Sequence, residues 1–418
     1  MTKRVIIIGG GFAGCMVAKK LAPYDYDILL FDKRNHHVFQ PLLYQVATAM
    51  LSPSQIAFPI RSMFKSKKNI RVLIGNILKV DLEQQFIQPK RSKEHFYYDY
   101  LVIAAGARHS YFGKKEWEKH AWGLKTIRDA LKIRERMLYS FEKAERSKSE
   151  KNQRKYSTFV IVGAGPTGVE MAGAIAEVTQ KSIADDFTQF DSRKSRIILV
   201  EGSDRILNGY PKKLSIRAYN DLIQMGVEVK LNAYVSNITK KGVYFGEEYI
   251  ETENIIWAAG NIASPLIKNV TSHTNKMGQA LVNSDFSIKE NPNVFCLGDC
   301  AYLKDAKGNI VPAVAQGAMQ SGEFVANQII ADSKGKKRKH FTYFNKGTMA
   351  TIGRSKAVAN ISGYKFGGFF AWLLWGIVHI LFLVDFRNKV YVFFDWITSY
   401  FTHKRSARLI NTYRPNKK

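Results

Sequence analysis

The chain has 418 residues, 46% of them hydrophobic and 12% aromatic, too many for one ordinary domain and too rich in core-forming side chains for a disordered protein. Lys and Arg number 63 against 35 Asp and Glu; the resulting +28 suits nucleic acid, an anionic membrane surface or a small polyanion, and by itself selects none of them. Three scattered cysteines, Cys15, Cys296 and Cys300, exclude a disulfide framework and suit a reducing compartment, and the apolar run 5–8 is too short for a signal-peptide core.

Residues 2–8 have the β-branched density of a buried parallel strand and run straight into Gly9-Gly10-Gly11-Phe12-Ala13-Gly14, followed by a helix-compatible stretch, 15–21. In such a turn Gly9 permits the sharp bend, Gly11 lets the backbone approach a pyrophosphate, and Gly14 lets the helix pack on the strand, leaving the helix N-terminus to face the anion. A second strand, 27–31, ends in Asp32, 18 residues beyond Gly14, where an acid would bind a ribose hydroxyl. The stretch 142–155 is charged and helix-compatible and is read as a solvated helix end or linker.

The pattern then recurs. Residues 159–162 lead into Gly163-Ala164-Gly165-Pro166-Thr167-Gly168, with Glu170 just ahead of an Ala-rich helix, 171–178. One glycine-rich turn is weak evidence; two, about 150 residues apart and each between a strand and a helix, indicate two dinucleotide sites. The second ribose acid is expected at Glu201, 33 residues past Gly168, with 181–195 read as an elongated helix plus loop that lengthens the spacing. A carboxylate there repels a 2′-phosphate, so NADH rather than NADPH is the expected donor.

Farther on, the strand 293–297 ends at Gly298-Asp299, where glycine allows close approach and the acid offers acceptors to sugar hydroxyls. Residues 311–316 are expected to open a helix, with Pro312 at its first position and free N–H groups that carry partial positive charge. Gln316 and Gln320, four apart, share one face of it. The run 366–384 is apolar or small apart from His379, just long enough for a membrane span to be considered. Within 391–401, Phe393, Phe394, Ile397, Tyr400 and Phe401 face one way and Asp395, Thr398 and Ser399 the other, an interfacial helix in character. From residue 387 onward eight basic residues (Arg387, Lys389, Lys404, Arg405, Arg408, Arg414, Lys417 and Lys418) oppose only Asp395, a balance drawn to anionic lipids.

Together with the two turns, the stretch His36-His37-Val38-Phe39-Gln40-Pro41-Leu42-Leu43-Tyr44-Gln45-Val46-Ala47-Thr48, the strand ends Ala104-Ala105-Gly106 and Ala258-Ala259-Gly260, Leu297-Gly298-Asp299, Ala315-Gln316-Gly317-Ala318-Met319-Gln320 and 347–354 carry a resemblance. The chain resembles the pyridine-nucleotide:disulfide oxidoreductases, and among them the type II NADH dehydrogenases, the non-pumping NADH:quinone oxidoreductases. The resemblance implies an α/β protein with two Rossmann-type domains, glutathione-reductase-like, the NADH domain inserted in the FAD domain. FAD would be held by 1–120 and 285–344, NADH by 121–284, and 345–418 would form a helical membrane-association region.

It further implies that FAD contacts Gly9, Gly11, Phe12, Ala13, Gly14, Asp32, Lys33, Ala105, Gly106, Gly298, Asp299, Ala315 and Gln316. NADH would meet Gly163, Gly165, Pro166, Thr167, Gly168, Glu170, Glu201, Ala259 and Gly260. Glu170, Gln316 and Gln320 are the implied catalytic residues: the glutamines beside a ubiquinone or menaquinone, the acid in a positioning or proton-handling role. A homodimer bound peripherally to the cytoplasmic face of the inner membrane follows from the same resemblance. No metal ligands and no nucleic-acid fold signature stand out.

Three rival readings remain in view. A sulfide:quinone oxidoreductase needs cysteines on both flanks of the flavin, and 37–48 contains none. A soluble ferredoxin or rubredoxin reductase has no use for the aromatic tail, and a redox-sensing flavoprotein of the apoptosis-inducing type, which the basic surface would suit, is told apart by turnover with a short-chain quinone.

Overall fold

The computed structural model describes residues 2–410, so Arg414, Lys417 and Lys418 lie outside the described residues. The described residues divide into two compact units, the first built from 2–38, 57–108 and 261–345, the second from 39–56, 109–260 and 346–410.

Each unit is organised by a five-stranded, wholly parallel sheet, and four strands of each are wound in the same order. In the first, Lys3–Ile8 lies at the centre, the chain steps outward through Tyr26–Asp32 to Ile70–Ile74, then returns to the other side with Tyr100–Ile103 and Val294–Cys296. In the second, Thr158–Val162 is central, Arg196–Val200 and Val227–Lys230 lie to one side, and Asn254–Trp257 and Ala121–Gly123 to the other. The sequence demands this arrangement. Val5, Ile6 and Ile7, like Val160 and Ile161, have no exposed surface, so their strands must be covered on both faces, the condition under which parallel sheets form. The reversal of winding beside each central strand leaves a crevice at the carboxyl ends of the strands, where α/β sheets bind ligands.

The second unit continues into an antiparallel meander, Thr348–Gly353, Lys356–Ile361 and Tyr364–Gly367, and two helices, Phe369–Phe382 and Phe386–Thr402. Gly173 explains how the meander reaches the helix Pro166–Glu177: a Cβ there would stand 1.6 Å from the Ile352 carbonyl oxygen.

Three local expectations are corrected. The apolar run 366–384 is not one element: its first two residues finish a strand, Gly368 breaks the chain at φ +86°, and the helix that follows has 14 residues. Such a helix is about 21 Å long against about 30 Å of hydrocarbon. No helix among the described residues is long and apolar enough to cross a membrane. Residues 181–195 form no elongated α-helix. A π-helical turn, Val178–Ser182, ends the helix, and the Glu145 carboxylate then captures the backbone N–H groups of Thr188, Gln189 and Phe190 while Phe187 and Phe190 ring Phe141. Pro312, finally, precedes its helix, which starts at Ala315. The chain doubles back so closely that a Cβ on Gly317 would meet the Pro312 carbonyl oxygen at 2.2 Å.

Candidate functional site

The two glycine turns repeat one another bond for bond. In the first unit Gly9 N–H donates to Phe31 O at 2.7 Å and Ala104 N–H to Ile8 O at 2.8 Å, so the strand that carries Asp32 and the one that leads to Ala105 and Gly106 are both fastened to the turn. In the second, Gly163 N–H donates to Val200 O at 2.7 Å and Ala258 N–H to Val162 O at 2.8 Å. A Cβ on Gly14 would lie 1.9 Å from Gly9 O, and one on Gly168 would lie 1.8 Å from Gly163 O; only glycine lets either helix start this close to its strand.

The acids occupy matching positions despite their unequal spacing in sequence. Asp32 Oδ2 accepts from Gly10 N–H and Oδ1 from Arg34 N–H, each at 2.7 Å. Glu201 Oε2 accepts from Ala164 N–H at 2.7 Å, and Oε1 from the Ser203 hydroxyl at 2.7 Å and its N–H at 3.0 Å.

Both turns fit a pyrophosphate. The helices Phe12–Leu21 and Pro166–Glu177 begin at Gly11 and Gly165 with no side-chain cap, and nothing lies within 4 Å of where a Cβ on either glycine would be. Uncapped N–H groups facing open space are what an anion at a helix start requires. In the first unit Nε and Nη1 of Arg34, two residues past Asp32, are buried without partners, donors in want of an acceptor such as a nucleotide supplies. Phe12 and Ala13 open that first helix, Lys33 is exposed beside Asp32, and Gly298, at φ +70°, precedes Asp299 with the Ala13 and Ala318 methyls 3.7 and 3.6 Å from its would-be Cβ. In the second unit Pro166 and Thr167 are exposed in the first turn, and Ala259 adjoins the second turn, its N 2.7 Å from the Cβ position of Gly163.

The helix Ala315–Ser333 also starts uncapped, with Ala315 and Gln316 half-buried in its first turn. Gln320 is committed elsewhere: its Nε2–H donates to Phe344 O at 2.9 Å and its Oε1 accepts from Phe344 N–H at 3.0 Å.

A cavity of about 370 Å³ lies wholly within the second unit, walled by the two C-terminal helices and floored by the helix Pro166–Glu177. Most of its lining is aromatic or aliphatic. Glu170, Ala174 and Glu177 turn one stripe of the floor helix toward it; Gln316 and Gln320 are not among its lining residues. Burial pushes the Glu170 carboxyl well above the usual carboxylate range, partly offset by a hydrogen bond from the Thr351 backbone N–H. Glu177 receives the Arg354 N–H and pairs with Arg405 at 3.1 Å. Tyr44 and Gln45, from the 39–56 segment, complete the inner wall, with Gln45 linked to Trp396. At the mouth, Phe370, Leu373, Ile377 and Leu381 form an exposed stripe on one helix, and Phe386, Phe393, Phe394 and Phe401 on the other.

Sequence reasoning missed Tyr44, Gln45, Glu177 and Arg405 as site residues. Arg405 was counted among the lipid-facing cations. Instead its guanidinium is buried, donating to Thr48 O at 2.7 Å and Ala174 O at 3.2 Å. The signal available for Tyr44 and Gln45 was their place in the long 36–48 stretch; for Arg405 there was none, since its partner lies 228 residues away. All three cysteines are buried and free.

Comparisons with known proteins agree with this geometry. The sequence profile of the pyridine nucleotide-disulphide oxidoreductase family matches residues 3–322, and that of the NDH2 C-terminal domain matches 345–405. The type II NADH:quinone oxidoreductases Ndh and NdhA of Mycobacterium tuberculosis are 40% and 41% identical, over 97% and 98% of this chain and 90% and 89% of theirs. NDH2 from Plasmodium falciparum, solved in complex with NADH, superposes with a TM-score of 0.89 at 22% identity, over 97% of this chain and 99% of that one. The sulfide:quinone oxidoreductase of Aquifex aeolicus, at 18% identity, has the same fold with a TM-score of 0.70, over 93% and 92%.

Proposed function

The chain belongs to the type II NADH:quinone oxidoreductases of the pyridine nucleotide-disulphide oxidoreductase family, and from that premise we propose a specific division of labour among its residues. The overall reaction is NADH plus a proton plus quinone, giving NAD⁺ and quinol. When bound, FAD would supply the two-electron relay between NADH and the quinone.

The observation that carries the proposal is the floor helix Pro166–Glu177. Its uncapped first turn follows the second glycine turn, and its Glu170–Glu177 stripe lines an apolar cavity that ends among exposed aromatic side chains. Gly163, Gly165, Pro166, Thr167, Gly168, Ala259 and Gly260 bind NADH, with Glu201 on its ribose. Gly9, Gly11, Phe12, Ala13, Gly14, Asp32, Lys33, Ala105, Gly106, Gly298 and Asp299 bind FAD. The uncapped helix start at Ala315 and Gln316 would offer partial positive charge to bound FAD. Gln320, by its paired bonds to Phe344, holds the 344 segment against that helix.

The quinone ring occupies the cavity, whose walls exclude water, and Glu170, held protonated by burial, keeps a proton at its carboxyl oxygen for the nascent quinol. The exposed stripes of the two C-terminal helices lie on the membrane surface, basic residues reaching anionic headgroups, as a peripheral homodimer on the cytoplasmic face. The cysteines do not favour sulfide as donor: burial pushes the Cys15 thiol up to about 12 and that of Cys300 up to about 11, leaving neither as a ready thiolate nucleophile.

The test is NADH oxidation by FAD-loaded protein with a short-chain ubiquinone or menaquinone analogue, repeated with NADPH and with sulfide. Fast quinone-dependent turnover with NADH, weak with NADPH and absent with sulfide, is the expected result. Flavin reduction without quinone turnover would make the acceptor something else. Flotation with anionic vesicles and light scattering in detergent test the membrane and dimer assignments.

A further inference from the structure

At the inner end of the cavity a hydrogen-bond chain runs from a C-terminal helix to a tyrosine. Trp396 Nε1–H donates to Gln45 Oε1 at 2.7 Å, and Gln45 Nε2–H donates to Tyr44 Oη at 2.9 Å. The direction of this chain is forced by its first member. An indole nitrogen carries a hydrogen and no available lone pair, so it can only donate. The Gln45 amide must therefore turn its oxygen to Trp396 and its NH₂ to Tyr44. An amide nitrogen accepts nothing, so the phenol oxygen is the acceptor of this bond and the phenol proton cannot point back along it.

That proton has no acceptor among the described residues, although the Tyr44 side chain is buried and lines the cavity together with Glu170. A buried donor with no partner signals a missing acceptor. Glu170 and Glu177, the acids that line the same cavity, make no hydrogen bond to the phenol.

We propose that Tyr44 is a quinone-binding residue whose hydroxyl donates a hydrogen bond to a carbonyl oxygen of the quinone, and that Gln45 and Trp396 are positioning residues that hold it as a donor. The assignment rests on the quinone reading above. A donor aimed where negative charge develops stabilises the reacting oxygen more in the transition state than in the bound quinone. Burial, with Glu170 and Glu177 nearby, raises the phenol's own pKa well above its ordinary value, so the hydroxyl keeps its proton throughout the physiological range. Because Trp396 belongs to the helix Phe386–Thr402, the donor state also depends on that helix being seated.

The experiment uses the full-length, FAD-loaded enzyme and a short-chain ubiquinone. Stopped flow separates flavin reduction by NADH from reoxidation of the reduced enzyme by quinone. Tyr44→Phe, which removes the hydroxyl and keeps the ring, is expected to lower kcat/KM for quinone and the reoxidation rate by about 10- to 100-fold while flavin reduction proceeds. Trp396→Phe frees the Gln45 amide to turn over. It should cost several-fold in the native background and nothing further in the Tyr44→Phe background, a non-additivity that a purely structural role of Trp396 does not produce.

A Tyr44→Phe enzyme within twofold of the native kcat/KM for quinone would overturn the proposal, as would losses that multiply in the double variant. Should Tyr44→Phe fail to fold, Gln45→Met, which removes the directing amide and leaves the hydroxyl, must itself lower quinone reoxidation for the proposal to stand. A native enzyme that reduces its flavin with NADH yet serves no quinone would sink the underlying quinone reading, an outcome distinct from the others.

Discussion

Glu170 is asked to do two things that conflict. A carboxyl whose folded-state pKa is raised costs stability at pH above the ordinary carboxylate range, because the unfolded chain can ionise it and the folded chain resists. Glu170→Gln should therefore raise the melting temperature at pH 7, with the gain shrinking as pH falls through the ordinary glutamate range, as calorimetry across pH can check. The same change should lower quinone-dependent turnover by about 100-fold and remove the fall in rate that the native enzyme is expected to show as Glu170 ionises at high pH. A more stable and equally active variant would show that the proton comes from elsewhere. Glu201 is tested through nucleotide choice. Its carboxylate already fastens Ala164 and Ser203, so Glu201→Gln should raise KM for NADH by about tenfold, the size of a charged hydrogen bond lost, and narrow the preference over NADPH. Both acids were legible in sequence, Glu170 from its place just beyond a phosphate turn and Glu201 from its strand end. Tyr44 and Gln45 were not assigned roles, because what makes them a site is the indole of Trp396, 351 residues from Gln45.

At the level of elements, strands and glycine turns were readable because their cause is local: a run of β-branched residues and a bend only glycine can make. The Pro312 helix start and the 181–195 helix misled for the opposite reason, since a distant close approach fixes the first and the Glu145 carboxylate shapes the second. Gly173 offers a sharp test of long-range packing. Gly173→Ala would place a methyl 1.6 Å from Ile352 O, and chemical denaturation should register a loss of about 3 kcal/mol, even though alanine favours helices everywhere else. Arg405 is the second test. Arg405→Met strips a buried guanidinium from Glu177, Thr48 O and Ala174 O and should cost about 3 kcal/mol, near the lower end for a broken buried pair because Glu177 keeps 22% of its side-chain surface exposed. Adding Glu177→Gln should recover part of that loss, whereas no recovery would mean that the backbone carbonyls matter more than the ion pair.

For the whole molecule, the sequence conveyed two sheets and an apolar tail but not the cavity, because a cavity is a property of how three helices lean together. Its mouth predicts membrane behaviour. Phe370, Leu381 and Phe394 are 76%, 64% and 58% exposed, and changing all three to Ser should weaken partition into anionic vesicles by about 3 kcal/mol, roughly a hundredfold, while leaving NADH reduction of the flavin intact. The shared floor helix has a consequence for inhibition. A compound wedged against the Glu170–Glu177 stripe presses on the same helix whose first turn is proposed to hold the nucleotide, so substitutions there that loosen the compound are expected to disturb NADH binding as well. Resistance with little penalty is confined to the two outer helices, and inhibitors anchored on the floor rather than at the mouth leave the enzyme fewer ways out.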